Sequence, residues 1–136
     1  MRILPARPTS PADPRHFTGE AWFDTIIRGE SPSRIRASVV RFAPGTRNHW
    51  HRHPLGQVFQ VLDGIALTQS RGGGVHEIHP GETVQTPPDE WHWHGATPDR
   101  FMSHLTVYEE PDDAETQWGE PVTDAEYLAE RAPRTR

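Results

Sequence analysis

Between Ala21 and Tyr108 the chain is cut into β-favouring runs that are each closed within a few residues by glycine, proline or aspartate. Residues 21–27 run into a turn at Gly29-Glu30-Ser31-Pro32, and residues 35–42 stop at Pro44-Gly45. Residues 57–62 end at Asp63-Gly64, a strong hairpin signal. Residues 65–70 end at Arg71-Gly72-Gly73-Gly74, 75–78 at Pro80-Gly81, 82–86 at Pro87-Pro88-Asp89, and 101–108 near Pro111. Many short strands joined by Gly/Pro turns predict an all-β sandwich or barrel and exclude βαβ units.

The remainder of the chain flanks that barrel. A length of 136 residues predicts a single domain. Residues 1–16 carry Pro5, Pro8, Pro11 and Pro14 with little apolar patterning, and read as a flexible or edge-pairing arm. The barrel is expected over 17–118 and a C-terminal segment over 119–136. In that segment Thr123-Asp124-Ala125-Glu126 matches a capping box. It predicts a short helix over about 124–131 that turns Tyr127 and Leu128 toward the barrel, with Pro133 as its stop.

Composition removes several chemistries. The chain has no cysteine and no lysine, which excludes disulfides, thiolate catalysis, cysteine-type metal sites and Schiff-base chemistry. A net charge of −5 with scattered arginines argues against a nucleic-acid surface. Mean hydropathy is −0.78 and no apolar run nears the ~18 residues of a membrane span. Met1-Arg2-Ile3-Leu4-Pro5 has no apolar core behind it, so no signal peptide is expected and a cytoplasmic location is the expectation. Nine histidines remain, five of them in two short windows at 49–53 and 92–94.

His51-Arg52-His53 would place both imidazoles on one face of a strand, where they can grip one metal ion. Gln57 follows after a Pro54-Leu55-Gly56 bend, and His92 comes after a proline turn at 87–88. Gly45-x5-His51-x-His53-x3-Gln57-x6-Gly64 resembles the first cupin motif, G-x5-H-x-H-x3,4-E-x6-G. Gly81-x5-Pro87-x4-His92 resembles the second, G-x5-P-x-G-x2-H-x3-N. The resemblance covers about residues 20–110 and implies a double-stranded β-helix, a jelly-roll barrel, with a metal held by His51, His53, Gln57 and His92. Three positions depart from the motifs: Gln57 replaces glutamate, Asp89 replaces glycine, and Ala96 stands where asparagine is usual. A neutral carboxamide leaves a divalent ion its full charge and makes it a stronger Lewis acid. The nitrogen and oxygen donors suit manganese, iron, zinc, cobalt or nickel.

The stretches Trp50-His51-x-His53-Pro54-Leu55-Gly56-Gln57, Glu77-Ile78-His79-Pro80-Gly81, His92-Trp93-His94-Gly95-Ala96 and Met102-Ser103-His104-Leu105 are similar to the small manganese-dependent cupin hydroxynitrile lyases. That resemblance implies manganese as the metal and His104 as general base. Strand parity alone leaves open whether Met102, His104, Thr106 and Tyr108, or Phe101, Ser103, Leu105 and Val107, face the cavity. His94 shares the parity of His92, and is either a substrate contact that holds a leaving anion or a satisfied strand histidine. His49 reads as a rim or surface residue, His76 and His79 as exposed, and His16 as part of the arm. Trp91 and Trp93 are expected to pack on the outer face, and Val40, Phe42, Phe59 and Val61 to line the cavity or the core.

The function these features imply is a metal-dependent enzyme for a small organic substrate, of lyase type. Its alternatives are a dioxygenase or isomerase on the same metal, or a non-catalytic metal- or ligand-binding protein. Exposed sheet edges and the arm lead us to expect a homodimer or higher homo-oligomer, with no membrane or nucleic-acid partner.

Overall fold

Alternation with a period of two builds the inner wall of the molecule. The computed structural model describes residues 1–134, and the last two residues of the C-terminal segment lie outside the described part. In chain order the strands are β1 (Ser10–Pro11), β2 (Phe17–Thr18), β3 (Ala21–Arg28), β4 (Ile35–Phe42), β5 (Arg47–Asn48), β6 (His51–Arg52) and β7 (Gln57–Asp63). They continue with β8 (Ala66–Ser70), β9 (His76–Ile78), β10 (Thr83–Thr86), β11 (His92–Ala96), β12 (Met102–Glu109) and β13 (Gln117–Trp118), followed by helix α1 (Asp124–Tyr127).

Two antiparallel sheets curl face to face. One has the order β1-β3-β4-β12-β7-β10; the other runs β13-β6-β11-β5-β2, with β8 on β11 and β9 on β8. In β7, Gln57, Phe59 and Val61 are buried while Val58, Gln60 and Leu62 are exposed. In β12 the buried set is Met102, His104 and Thr106. This settles the parity left open by sequence, because β12 lies between β4 and β7 with His104 opposite both Val40 and Val61. Phe101 and its alternates face outward.

The barrel core comprises Phe17, Ala21, Val40, Phe42, Phe59, Val61, Ala66, Ala96 and Met102. A second cluster, Trp50, Leu67, Val75, Trp93, Val122 and Tyr127, lies behind the other sheet. Both faces of β11 are therefore covered, and all five of its residues are buried. Tyr127 seals this layer by donating its hydroxyl to the Ala96 carbonyl at 2.6 Å. The Arg47 guanidinium sits 4.5 Å over the Tyr127 ring and donates to the Val122 carbonyl.

Near the N-terminus, β1 pairs with β3 of the same chain, with Ser10 opposite Phe23. The structure corrects three local readings. The helix stops after Asp124–Tyr127, although its capping box is present, and Leu128 is exposed rather than packed. Tertiary pairing overrides helix extension: Arg131 bridges to Val75 and caps the carbonyls of Tyr127 and Ala129. The His-x-His strand is also shorter than expected, since β6 ends at Arg52 and His53 belongs to the following turn. Finally, His49 is buried rather than on the rim.

Candidate metal centre

Three elements deliver the histidines to one point. His51 on β6 lies directly opposite His92 on β11. His53 follows β6 in a turn whose carbonyl is held by the Gly56 and Asp89 amides. One ring nitrogen from each of His51, His53 and His92 lies within 4.8 Å of the others, and all three residues are buried. Gln57, the first residue of β7, reaches the same point: its Oε1 is 2.9 Å from His92 Nε2 and 3.3 Å from His94 Nε2.

Hydrogen bonds on the far side of each ring leave the near side open. His51 Nδ1 donates to the His49 carbonyl at 2.8 Å, and His92 Nδ1 donates to the Glu90 carbonyl at 2.9 Å. His53 Nδ1 lies 3.0 Å from the Thr116 hydroxyl. A backbone carbonyl only accepts, so the proton of His51 and of His92 is held at Nδ1 and Nε2 keeps its lone pair. Gln57 Nε2 donates to Thr106 Oγ1 at 2.7 Å, which turns its carbonyl oxygen toward the imidazoles. His51 Nε2, His92 Nε2 and Gln57 Oε1 thus present lone pairs to one point.

That donor set fits a divalent transition-metal ion. His53 Nε2 is buried with no hydrogen-bond partner, and His92 Nε2 faces the Gln57 oxygen at 2.9 Å, acceptor against acceptor. Neither ring nitrogen meets a donor within the protein, and a cation among the four atoms would satisfy both. Burial keeps the rings neutral, as a metal requires. Desolvation, helped by His92 and His53, pushes His51 well below its ordinary 6.5, and desolvation with His92 nearby lowers His53 to about 3. Desolvation likewise lowers His92 to about 4.

A second pair of histidines stands beside the cluster. His104 Nε2 and His94 Nδ1 are 2.9 Å apart, and His104 Nδ1 is buried without a partner. Phe42 and Phe59 pack on the His104 ring at 5.1 and 4.9 Å between centroids. This burial lowers His104 to about 4 and His94 well below 6.5, the latter also through the neighbouring His104. Asn48 fixes His94 by accepting its backbone N–H at 2.9 Å and placing its amide nitrogen 3.3 Å from both ring nitrogens. These groups open on a cavity of about 410 Å³ whose apolar wall includes Phe17, Phe23, Val40, Phe42 and Trp118, with Glu110 and Glu115 also in its lining.

Of the residues singled out as ligand or acid–base group, His51, His53, Gln57, His94 and His104 line this cavity, and His92 joins them through the His51–His53 cluster and Gln57. The remaining histidines fall elsewhere, with one exception. His76 is exposed and His79 is partly exposed beside Glu77. His16, which carried no signal, stacks on Trp118 at 4.1 Å and lines the cavity. Asn48, Thr116 and Trp118 were also missed. Thr106 could have been found, since it shares the parity of His104 along β12.

A profile of the cupin domain matches residues 38–108, which includes His51, His53, Gln57, His92, His94 and His104. The chain belongs to the cupin family. This cupin is 44% identical over 117 residues to a protein named (R)-mandelonitrile lyase from Granulicella tundricola, covering 86% of this chain and 88% of that one. Among solved structures, a cupin-like protein from Thermotoga maritima superposes with a TM-score of 0.83 at 31% identity, covering 93% of this chain and 95% of the other. A cupin-2 domain protein from Rhodospirillum rubrum gives 0.71 at 17% identity over 93% and 82%, a likeness of fold.

Proposed function

We propose that this cupin is a metal-dependent lyase that cleaves a small aromatic cyanohydrin to an aldehyde and hydrogen cyanide, and forms it when cyanide is in excess. The observation that carries the reading is the bonded His94–His104 pair set beside three clustered imidazoles and a carboxamide oxygen. The 44% identity to a protein named (R)-mandelonitrile lyase supports it. A divalent ion held by His51, His53, His92 and Gln57, manganese first and iron, zinc, cobalt or nickel next, would supply Lewis acidity toward the substrate oxygen.

The protein's own groups do the rest. The aromatic wall of Phe17, Phe23, Phe42 and Trp118 takes up the substrate's ring and excludes water. His104 is the base that takes the hydroxyl proton, and its Nε2 lies 2.9 Å from His94 Nδ1. The C–CN bond then breaks, its electron pair leaves with cyanide, and the carbonyl forms. His94 holds the anion through Nε2–H, and the proton carried by His104 passes to cyanide to give hydrogen cyanide. Burial keeps His104 at about 4, so the ring is neutral at neutral pH but a weaker base than a solvated imidazole.

Benzaldehyde release from racemic mandelonitrile by the metal-loaded protein, without oxygen uptake, is the expected result. His104→Ala should lower turnover by about 10²–10⁴-fold with metal content unchanged. Wild-type turnover in that variant would remove His104 from the mechanism. Oxygen consumption with diols or flavonols would make the protein a dioxygenase instead, and tight ligand binding without turnover would make it a binding protein.

A further inference from the structure

The three imidazoles are not held alike. For His51 and His92 the Nδ1 partner is a backbone carbonyl two residues upstream, at 2.8 and 2.9 Å. No side-chain substitution removes those acceptors. His53 has no such carbonyl, and its Nδ1 instead meets the hydroxyl of Thr116, 63 positions along the chain, at 3.0 Å. A hydroxyl both donates and accepts, so the His53 tautomer depends on a replaceable group. Nε2 of the same ring is buried with no partner, so a proton there would be unsatisfied.

Thr116 reaches His53 because the segment that carries it is docked on the strand that carries His51. In β13, Gln117 pairs with Arg52 and Trp118 with His51. The Gln117 side-chain oxygen accepts from the Arg52 guanidinium at 2.8 and 2.6 Å. Trp118 stacks 4.7 Å from His51, and His16 stacks on Trp118 at 4.1 Å with an interplanar angle of 7°. One short segment therefore touches two of the three imidazoles.

We propose that Thr116 is a positioning residue that holds His53 in its Nδ1–H tautomer, so that docking of the 116–118 segment sets the affinity of the metal centre. The inference rests on the metal reading given above. With Nδ1–H donated to Thr116 Oγ1, the Nε2 lone pair joins those of His51 and His92. Without that acceptor the proton has no reason to stay at Nδ1, and each Nε2-protonated ring is lost as a ligand.

Thr116→Val keeps the shape and removes the hydroxyl, while Thr116→Ser keeps the hydroxyl. Two measurements on the full chain test the proposal. Long-range nitrogen NMR of the metal-free protein should find His53 protonated at Nδ1 in the wild type and Thr116→Ser, and displaced toward Nε2–H in Thr116→Val. Calorimetric titration with Mn²⁺ alone and Zn²⁺ alone should find affinity lowered roughly 10–100-fold in Thr116→Val and restored in Thr116→Ser. Wild-type tautomer and affinity in Thr116→Val would overturn the inference and leave the metal reading standing. Failure of the wild type to bind either ion would overturn the metal reading, and the inference with it.

Discussion

Lowering the pH of the metal-free protein should unfold it well before its carboxylates titrate. Five histidines at the site, His51, His53, His92, His94 and His104, are buried. Their folded pKa values are all depressed, chiefly by desolvation: His53 to about 3, His92 and His104 to about 4, and His51 and His94 well below 6.5. In the unfolded chain each titrates near 6.5. Above that pH both states are neutral and the groups cost nothing. As pH falls below 6.5 the unfolded chain takes up protons that the folded chain refuses, so stability is lost progressively down to the folded values. At pH 5.5 the loss is a little over 1 kcal/mol for each ring and roughly 7 kcal/mol for the five. That is within the whole ~5–15 kcal/mol stability of a small domain. Circular dichroism and tryptophan fluorescence against pH should therefore show a cooperative transition near pH 5.5 with uptake of nearly five protons. Mn²⁺ at about 100 times its Kd adds about 3 kcal/mol and should move the midpoint down by roughly 0.4 unit. Stability that stays flat from pH 7.5 to 5 would refute the reasoning, because five neutral buried imidazoles cannot coexist with it.

Two substitutions probe the departures from the cupin motifs. Asp89 holds φ 60° at the position where the motif has glycine, so Asp89→Gly should raise Tm by roughly 2–5 °C in a thermal melt, and a fall would show that its side chain stabilises the turn. Gln57→Glu adds a carboxylate to the cluster; calorimetry should find tighter divalent-metal binding and a cleavage assay slower turnover, and unchanged values for both would deny Gln57 a place near the ion.

The barrel was legible because Gly, Pro and Asp turns close its β-favouring runs at short spacing, as at Pro44-Gly45 and Pro80-Gly81. Among the long strands, only in β7 and β12 does burial also follow a period of two. The Asp63-Gly64 turn was equally plain, since Gly64 has φ 75° and a Cβ there would collide with the Phe101 carbonyl. Parity reduced His104 to two orientations, and only the resemblance to the lyases chose between them. Asn48, Thr116, Trp118 and His16 gave no signal for a physical reason. They reach the cavity through or beside β2, β5, β6 and β13, two-residue strands with no periodicity to read. Their positions follow from long-range pairings such as Trp118 with His51 and Phe17 with Asn48. The helix was over-extended because its start signal is local, whereas its end is decided by the bridge between Arg131 and Val75.

The most direct test is electron spin echo spectroscopy of the chain loaded with one equivalent of Mn²⁺. Couplings from the directly bound nitrogens of His51, His53 and His92 should appear, and replacing any one of the three with alanine should remove its share. A spectrum of fully hydrated Mn²⁺, or one unchanged by His53→Ala, would contradict a metal centre at this point of the barrel.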